Sequence, residues 1–119
     1  MSTSLDCPIL EQVLETNIVF NEAGESRPLH SAIPAKEGLF LQNLIRKHRP
    51  VSSLEVGCAY GVSSIFICKA LREVGAREHV VIDPYQLGSG HDGPDDGYEG
   101  IGLLNLKRAG LYDLSLIHI

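Results

Sequence analysis

Two short segments carry the residues whose types and spacing could do chemistry. Residues 54–63 read LEVGCAYGVS, and residues 79–84 read HVVIDP, so an aspartate follows a second apolar run 22 positions after Gly61. A glycine turn between a buried strand and a helix exposes backbone N–H groups to a ligand. A carboxylate at the tip of the neighbouring strand can accept hydrogen bonds from both hydroxyls of a ribose. The two segments therefore predict a nucleotide-cofactor site, with Asp83 at the ribose.

The spacing of the glycines separates two classes of nucleotide cofactor. A dinucleotide fingerprint is G-x-G-x-x-G, in which the middle glycine lets the backbone touch a pyrophosphate. This chain instead has E-x-G-x-x-x-G-x-S, with Ala59 in the middle position and Glu55 at the end of the strand. A carboxylate at that place suits a cation. An NAD(P)-type nucleotide-binding oxidoreductase shares the strand, turn, helix and terminal acid, and it stays open as an alternative.

The E-x-G-x-x-x-G-x-S segment resembles motif I of class I S-adenosylmethionine-dependent methyltransferases, especially the O-methyltransferase-like subgroup. The VIDP segment at residues 81–84 resembles the acidic motif that follows in that family, and residues 31–38 and 100–110 are also similar to the subgroup. The similarity runs from about residue 29 to residue 113. It departs from the commonest pattern at Ala59, where many members carry glycine.

The resemblance implies an α/β fold, namely the Rossmann-like three-layer sandwich of these methyltransferases, truncated after roughly the first two or three parallel strands. It implies S-adenosylmethionine as the cofactor, with Glu55, Gly57 and the turn against its methionine part and Asp83 on its ribose. It also implies methyl transfer to a small molecule, with a hydroxyl oxygen as the favoured acceptor. The predicted cofactor-binding residues are Glu55, Gly57, Cys58, Ala59, Tyr60, Gly61, Ser63, Asp83, Pro84 and Tyr85.

The resemblance also implies limits on what this chain does. The usual catalytic positions of the family lie beyond the end of the chain, so no catalytic residue is assigned and the fragment alone is expected to be inactive. The first strand of such a sheet is central, so we expect it to expose an unpaired, apolar edge here. A non-catalytic cofactor-binding domain that retains the fold is a further alternative, because fold does not establish function.

The elements that must position these residues follow from hydrophobic periodicity. The pattern predicts a short helix over residues 9–20, a polar loop over 21–27, an amphipathic helix laid on a sheet over 35–48, a strand over 51–56, a helix from Val62 with Gly75 as its C-cap, and a strand over 80–82. Strand, helix and strand in this order predict a parallel crossover. The crossover brings the glycine turn and Asp83 to one edge of the sheet.

Composition limits the number of domains, the kinds of binding partner and the cellular compartment that we expect for this protein. The chain has 119 residues, 44% of them hydrophobic, and a net charge of −5, which predicts one globular unit and argues against a nucleic-acid binder. Three cysteines without C-x-x-C spacing favour a reducing compartment and predict a cytoplasmic protein. The N-terminal residues hold no apolar run long enough for a signal peptide or a membrane span. We expect an N-terminal helix and loop region over residues 1–34 and the partial cofactor-binding domain over 35–113.

Three further residues or segments have competing interpretations. The glycine-rich stretch from Gly88 to Gly102 contains His91, Asp92, Asp95 and Asp96, but it lacks the alternating ligands of a calcium loop, so a solvated lid or loop is favoured over a metal site. Cys58 is interpreted as a small turn-filling residue, because no base accompanies it. His30 could overhang the cofactor, although a solvated loop histidine is the favoured interpretation.

The last residues, 114–119, read LSLIHI. This string is what CTG TCT CTT ATA CAC ATC encodes, and it resembles the transposon mosaic-end adapter of sequencing libraries. We therefore predict an adapter-derived tail at 114–119, which is excluded from functional inference. The alternative is a third strand, because the residues after Tyr112 are mostly apolar.

Overall fold

The structure, a computed structural model, describes residues 5–88 and 97–118. The described helices are α1 (Pro8–Thr16), α2 (Ala35–His48), α3 (Val62–Glu73) and α4 (Ile101–Arg108), with a 3-10 turn at Tyr112–Leu114. The described strands are β1 (Ile18–Phe20), β2 (Ser26–Pro28), β3 (Ser52–Val56), β4 (Glu78–Ile82) and β5 (Ser115–His118). Strands β3, β4 and β5 form a parallel sheet in that order, and β1 and β2 form an antiparallel hairpin. The predicted α/β class and parallel crossover are confirmed.

The N-terminal region differs from the prediction of one helix over residues 9–20. Helix α1 ends at Thr16, and Asn17 adopts a left-handed φ of 57° while its N–H donates to the Val13 carbonyl. The next three residues form β1, which pairs with residues 26–28, the first two of which belong to the segment predicted as a loop. A partner strand supplies hydrogen bonds to β-branched residues that disfavour a helix. The periodicity could not reveal this pairing, because the partner lies outside the helical window.

Helix α2 has the predicted bounds but packs on a helix rather than on a sheet. It packs against α3. The contact is so close that a side chain at Gly38 of α2 would overlap the Phe66 ring of α3. Gln42 donates from Nε2 to the Phe66 carbonyl at 3.0 Å. The buried residues of α2 are therefore Gly38 and Gln42, whereas Phe40 and Leu44, which belong to the predicted apolar stripe, are exposed.

Helix α3 is the centre of the core. Ile65, Phe66 and Leu71 are almost fully buried, as the periodicity predicts. The helix ends at Glu73, with Val74 as its cap, and Gly75 follows with a φ of 76°. Strand β4 begins at Glu78, two residues before the predicted start, because its pairing with β3 runs from Ser52 to Val56.

The two faces of the parallel sheet differ in a way that the strand sequences do not reveal. Ser53 and Glu55 share a face with buried His79 and Val81, which α3 covers. Leu54 and Val56 lie on the opposite face and are 64% and 79% exposed. Within residues 5–88 and 97–118, β3 pairs only with β4 and forms an edge of the sheet. The expected unpaired, apolar edge is present, and the described residues supply a helical layer on one face.

The difference in exposure between the two faces predicts different losses of stability when a valine on each face is replaced by alanine. We expect Val56→Ala to change the free energy of unfolding by less than about 0.5 kcal/mol, because little area leaves water there. Val81→Ala removes methyl groups from a side chain with no exposed area and is expected to cost about 2 kcal/mol. Urea denaturation followed by far-UV circular dichroism compares the two. Equal losses would show that the face bearing Val56 is covered in solution.

The segment predicted as an adapter-derived tail takes part in the sheet. Strand β5 pairs in parallel with β4, with Ser115 opposite His79. The third-strand alternative therefore describes its conformation, while the origin of residues 114–119 stays a prediction that the nucleotide sequence tests. Unrelated codons at these positions would contradict it.

The longest described helix, α2, has 14 residues, and in the described part of the chain no helix meets the length and hydrophobicity that membrane crossing requires.

Candidate cofactor-binding site

The glycine turn connects β3 to α3 at the carboxyl edge of the sheet. Gly57 and Gly61 have φ values of 90° and 86°, a region that L side chains rarely adopt. The Gly57 N–H donates to the Ile82 carbonyl at 2.7 Å, and the Gly61 N–H donates to the Cys58 carbonyl at 2.8 Å. Ala59 also has a positive φ, 50°. The turn therefore has left-handed residues at three positions, one of which is an alanine.

Asp83 follows β4 directly and points into this turn. The residue is 2% exposed, and its carboxylate Oδ2 accepts from the backbone N–H groups of Cys58 and Ala59, both at 3.0 Å. Oδ1 accepts from the Tyr85 N–H at 3.1 Å. The sequence predicted a carboxylate available to two ribose hydroxyls. The structure shows that the same carboxylate also holds the turn, because hydrogen bonds to a carboxylate are among the stronger ones in proteins.

Gln86 is a buried residue that the sequence analysis did not single out. Its Nε2 donates to the Ala59 carbonyl at 2.8 Å and to Asp83 Oδ2 at 3.1 Å, and its Oε1 accepts from the Leu103 N–H at 3.3 Å. It therefore connects the turn, the end of β4 and the start of α4. A polar residue three positions after a predicted strand-terminal acid is too common a pattern to have identified it.

Gly102 lets α4 approach the turn closely. A Cβ at this position would lie 2.5 Å from the Ala59 carbonyl oxygen and 2.8 Å from Cys58 Sγ. Real Cβ atoms do not approach other atoms so closely. The glycine is part of the GIG segment at 100–102 that the resemblance included, but its packing partner is visible only in the fold.

Glu55 is held in a network beneath the turn. Its carboxylate accepts hydrogen bonds from the hydroxyls of Ser63 and Ser64, the latter at 2.5 Å. His79 Nε2 lies 3.1 Å from Glu55 Oε1, and His79 Nδ1 lies 2.5 Å from Ser53 Oγ. Both carboxylate oxygens of Glu55 therefore bind protein groups. Its predicted contact with the methionine part of a cofactor stays a prediction.

A cavity of about 450 Å³ lies over the turn. The residues that line it are Ser31, Val56, Gly57, Cys58, Ala59, Ser63, Ile82, Asp83, Pro84, Tyr85 and Tyr98. Seven of the ten predicted cofactor-binding residues are in that set; Glu55, Tyr60 and Gly61 are not. The fold adds Ser31, Val56, Ile82 and Tyr98, which the sequence analysis did not assign to the site. Among the lining residues the structure describes, Asp83 is the one with a formal charge.

Three aromatic side chains pack together beside this cavity. The Tyr60 ring contacts the His30 and Tyr98 rings edge to face, at centroid distances of 5.1 and 5.0 Å. The Tyr60 hydroxyl lies 2.9 Å from His30 Nε2, and Ser31 Oγ lies 3.2 Å from His30 Nδ1. Burial raises the pKa of Tyr60. His30 is exposed, as the interpretation of a solvated loop histidine expects, and each of its ring nitrogens also lies within hydrogen-bond distance of a neighbouring hydroxyl.

Cys58 is buried within the turn, and its environment opposes a nucleophilic role. Burial raises the pKa of its thiol to about 12, and the Ser64 hydroxyl lies 3.7 Å from its sulfur. Burial likewise raises the pKa of Cys68 to about 11. A nucleophilic cysteine needs the thiolate. The geometry agrees with a turn-filling residue.

The buried thiols predict slow modification of the native chain. With a pKa of about 12, about one Cys58 in ten thousand is a thiolate at pH 8. We expect an aromatic disulfide reagent to leave Cys58 unmodified for hours in the native chain and to modify all three cysteines within minutes in denaturant. Peptide mass spectrometry identifies the modified residue. Rapid native labelling of Cys58 would contradict the buried position.

The metal interpretation of the glycine-rich loop lies outside the described residues. His91, Asp92, Asp95 and Asp96 belong to the segment between residues 88 and 97. Within the part of the chain that the structure describes, no three histidine, cysteine, aspartate or glutamate side chains are placed to hold a metal ion.

Comparison with known proteins identifies the fold. No protein-family model and no curated protein matches the chain. Among solved structures, cofactor-bound Rv0187 from MTB is 25% identical with a TM-score of 0.64, over 93% of this chain and 43% of that one. Another match is the O-methyltransferase TomG from Streptomyces achromogenes, which is involved in tomaymycin synthesis and was solved with SAM. It is 26% identical with a TM-score of 0.57, and the match covers 73% of this chain and 34% of TomG.

A third structure extends the likeness to nearly the whole chain. The O-methyltransferase from Bacillus cereus, solved with SAH, is 23% identical with a TM-score of 0.62 and covers 99% of this chain. The present chain spans 44% of that protein, and less than half of each of the other two. The chain therefore has the Rossmann-like fold of S-adenosylmethionine-dependent O-methyltransferases, and the fold expected from its motifs is confirmed.

Proposed function

We propose that the chain forms the cofactor half-site of an S-adenosylmethionine-dependent methyltransferase that methylates a hydroxyl oxygen of a small molecule. The observation that carries this proposal is the pair of hydrogen bonds from the Cys58 and Ala59 N–H groups to Asp83. In a dinucleotide enzyme the turn backbone approaches a pyrophosphate. Here two amides of the turn already bind an acidic side chain of the protein. A second anion at the same place would meet that carboxylate.

The chemistry of the cavity fits S-adenosylmethionine better than NAD(P). Asp83 contributes a negative charge, and no cationic side chain is among the described lining residues. A phosphate group would therefore be repelled, whereas a sulfonium cation would be attracted. Tyr85 lies beside Asp83 and is half exposed at the cavity, where its ring can stack on an adenine. The solved neighbours with SAM or SAH support the same cofactor.

The chain's own residues would bind and orient the reactant. The bound sulfonium supplies an electrophilic methyl group. Asp83 would hold the ribose, and the turn around Gly57 would face the methionine part, so that the methyl group has a defined direction. Removal of the acceptor proton requires a base or a metal ion, and no described residue is assigned that role. We therefore propose that this chain alone binds the cofactor without turnover.

The acceptor and the compartment are part of the same proposal. The net charge of −5 opposes a nucleic-acid acceptor, so we propose a small molecule. The three cysteines are free and buried, which fits a reducing compartment such as the cytoplasm.

The proposal is tested by two-dimensional amide NMR of this chain, titrated separately with S-adenosylhomocysteine and with NAD. We expect shifts at Gly57, Ala59 and Tyr85 with S-adenosylhomocysteine alone. Tyr85→Ala removes a stacking surface and is expected to weaken binding about tenfold. Tyr112→Ala is the matched control, because Tyr112 is similarly exposed but lies outside the cavity. Shifts with NAD alone would favour the oxidoreductase, and shifts with neither would reject the proposed site.

A further inference from the structure

Glu99 adopts a backbone conformation that residues with a side chain rarely adopt. Its φ of 54° lies in the left-handed region, where Cβ comes too close to the following carbonyl oxygen. Such a conformation persists only where the surrounding contacts determine it. Glu99 directly follows Tyr98, which lines the cavity over the glycine turn. The contacts that fix Glu99 therefore also help to determine where Tyr98 lies.

Arg27 of β2 supplies two of the contacts that fix Glu99. Its Nε donates to Glu99 Oε2 at 2.8 Å and its Nη2 donates to Oε1 at 3.2 Å, so the two side chains form a bidentate pair. A bidentate pair fixes direction as well as distance. The Asn21 side chain donates to the same Oε1 at 3.3 Å. Both donors belong to the hairpin of β1 and β2, 72 and 78 positions before Glu99.

The same hairpin is followed by a residue that contacts the Tyr98 ring itself. The His30 ring lies at a centroid distance of 5.9 Å from the Tyr98 ring, and the Tyr60 ring contacts Tyr98 edge to face at 5.0 Å. The Tyr98 N–H donates to the Tyr85 carbonyl at 3.0 Å. The backbone bond places Tyr98 beside the end of β4, and the N-terminal region contacts both its ring and the residue after it.

We propose that Arg27 is a positioning residue of the cofactor site, because its bidentate bond to Glu99 holds Tyr98 at the wall of the cavity. The inference rests on the proposed function, since the ligand concerned is S-adenosylmethionine. Arg27 is not among the described lining residues, so it acts through Tyr98. The antiparallel hairpin, which the sequence analysis placed outside the cofactor-binding domain, thereby contributes to binding.

The experiment is isothermal titration of S-adenosylhomocysteine into the unaltered chain, Arg27→Ala and Arg46→Ala. Arg46 is the matched control, because it forms a bidentate pair with Glu73 at 2.8 and 3.0 Å and neither residue is among the described lining residues. We expect Arg27→Ala to bind about fivefold more weakly and Arg46→Ala to bind within about 1.5-fold of the unaltered chain. Equal affinities of the two variants would overturn the inference and leave the proposed function standing. Absence of binding to the unaltered chain would overturn both.

Arg27→Lys separates position from charge, because lysine keeps the positive charge without the planar fork of donors. We expect its affinity to lie within about twofold of that of Arg27→Ala. Full recovery of the affinity would show that Arg27 acts by its charge and would overturn the inference. The ring resonances of Tyr98 in two-dimensional carbon–proton NMR should shift in both variants. A merely structural role would lower the urea midpoint and leave the Tyr98 resonances of the folded chain unchanged.

A double-mutant cycle tests whether Arg27 acts through Tyr98. Tyr98→Ala removes the ring, so adding Arg27→Ala to it should weaken binding by less than about 1.5-fold. Additive losses in the double variant would overturn the inference. If Tyr98→Ala does not fold, the comparison of Arg27→Ala with Arg27→Lys and Arg46→Ala still decides.

Discussion

Asp83→Ala is expected to lower the free energy of unfolding by roughly 4 kcal/mol, because it leaves several buried N–H donors without their acceptor. Those donors belong to Cys58, Ala59 and Gln86 on Oδ2 and to Tyr85 on Oδ1. A chain of this size has a total stability on the order of 10 kcal/mol at most. The variant should therefore lose much of its cooperative unfolding transition as well as its affinity for S-adenosylhomocysteine.

Urea denaturation followed by far-UV circular dichroism measures the effect of Asp83→Ala. Asp113→Ala is the matched control, since Asp113 is an exposed acid whose partner is Arg72 at 2.6 Å. Exposed ion pairs contribute little, so the control should unfold at nearly the same urea concentration as the unaltered chain. An Asp83→Ala variant as stable as the control would show that the carboxylate does not hold the turn in solution.

Gly102→Ala is expected to cost about 3 kcal/mol, because the added methyl group has no room. Its Cβ would lie within 2.9 Å of the Ala59 carbonyl oxygen, Cys58 Sγ and Gln86 Oε1. The Ala59 oxygen belongs to the backbone, and the Gln86 side chain is held by three hydrogen bonds. Because neither can move aside, α4 must move away from the turn. We expect the thermal midpoint to fall and the affinity for S-adenosylhomocysteine to fall with it.

Gly110→Ala separates this steric effect from backbone strain. Gly110 has a φ of 73°, and a Cβ there would meet nothing within 4 Å. Its substitution costs only the left-handed backbone conformation, about 1 kcal/mol. Calorimetric melting of the two variants compares the costs. If Gly110→Ala is the more destabilised of the two, the close approach of α4 to the turn is not present in solution.

The local elements of this protein follow from short-range patterns. The apolar periodicity of α3, the glycines at 57 and 61 and the acid at 83 identify the strand, turn, helix and strand, because each depends on neighbours within a few residues. Seven of the ten residues that the sequence analysis predicted to bind a cofactor line the cavity. The short-range patterns misplace the end of α1, since the strand that replaces its last turn requires a partner 6 to 10 residues away.

Charge and packing at the site depend on distant residues. Asp83 was predicted from its position after a strand, yet its bonds to the turn connect residues 24 and 25 positions apart. No motif indicated the contacts of Gln86 and Gly102 with the turn, and these residues matter because α4 folds back against it. His30 gains its partners Tyr60 and Tyr98 in the same way.

The sequence by itself determined the fold class, the glycine turn and the acid beside it, because a glycine turn and a strand-terminal carboxylate are local features of backbone and side-chain type. The tertiary structure alone decided that the Asp83 carboxylate is bonded to the amides of the glycine turn, that α2 packs on α3 through Gly38, and that Leu54 and Val56 face outward. Each of these depends on which surfaces meet. Steric fit and hydrogen-bond saturation between segments far apart in the chain determine that choice.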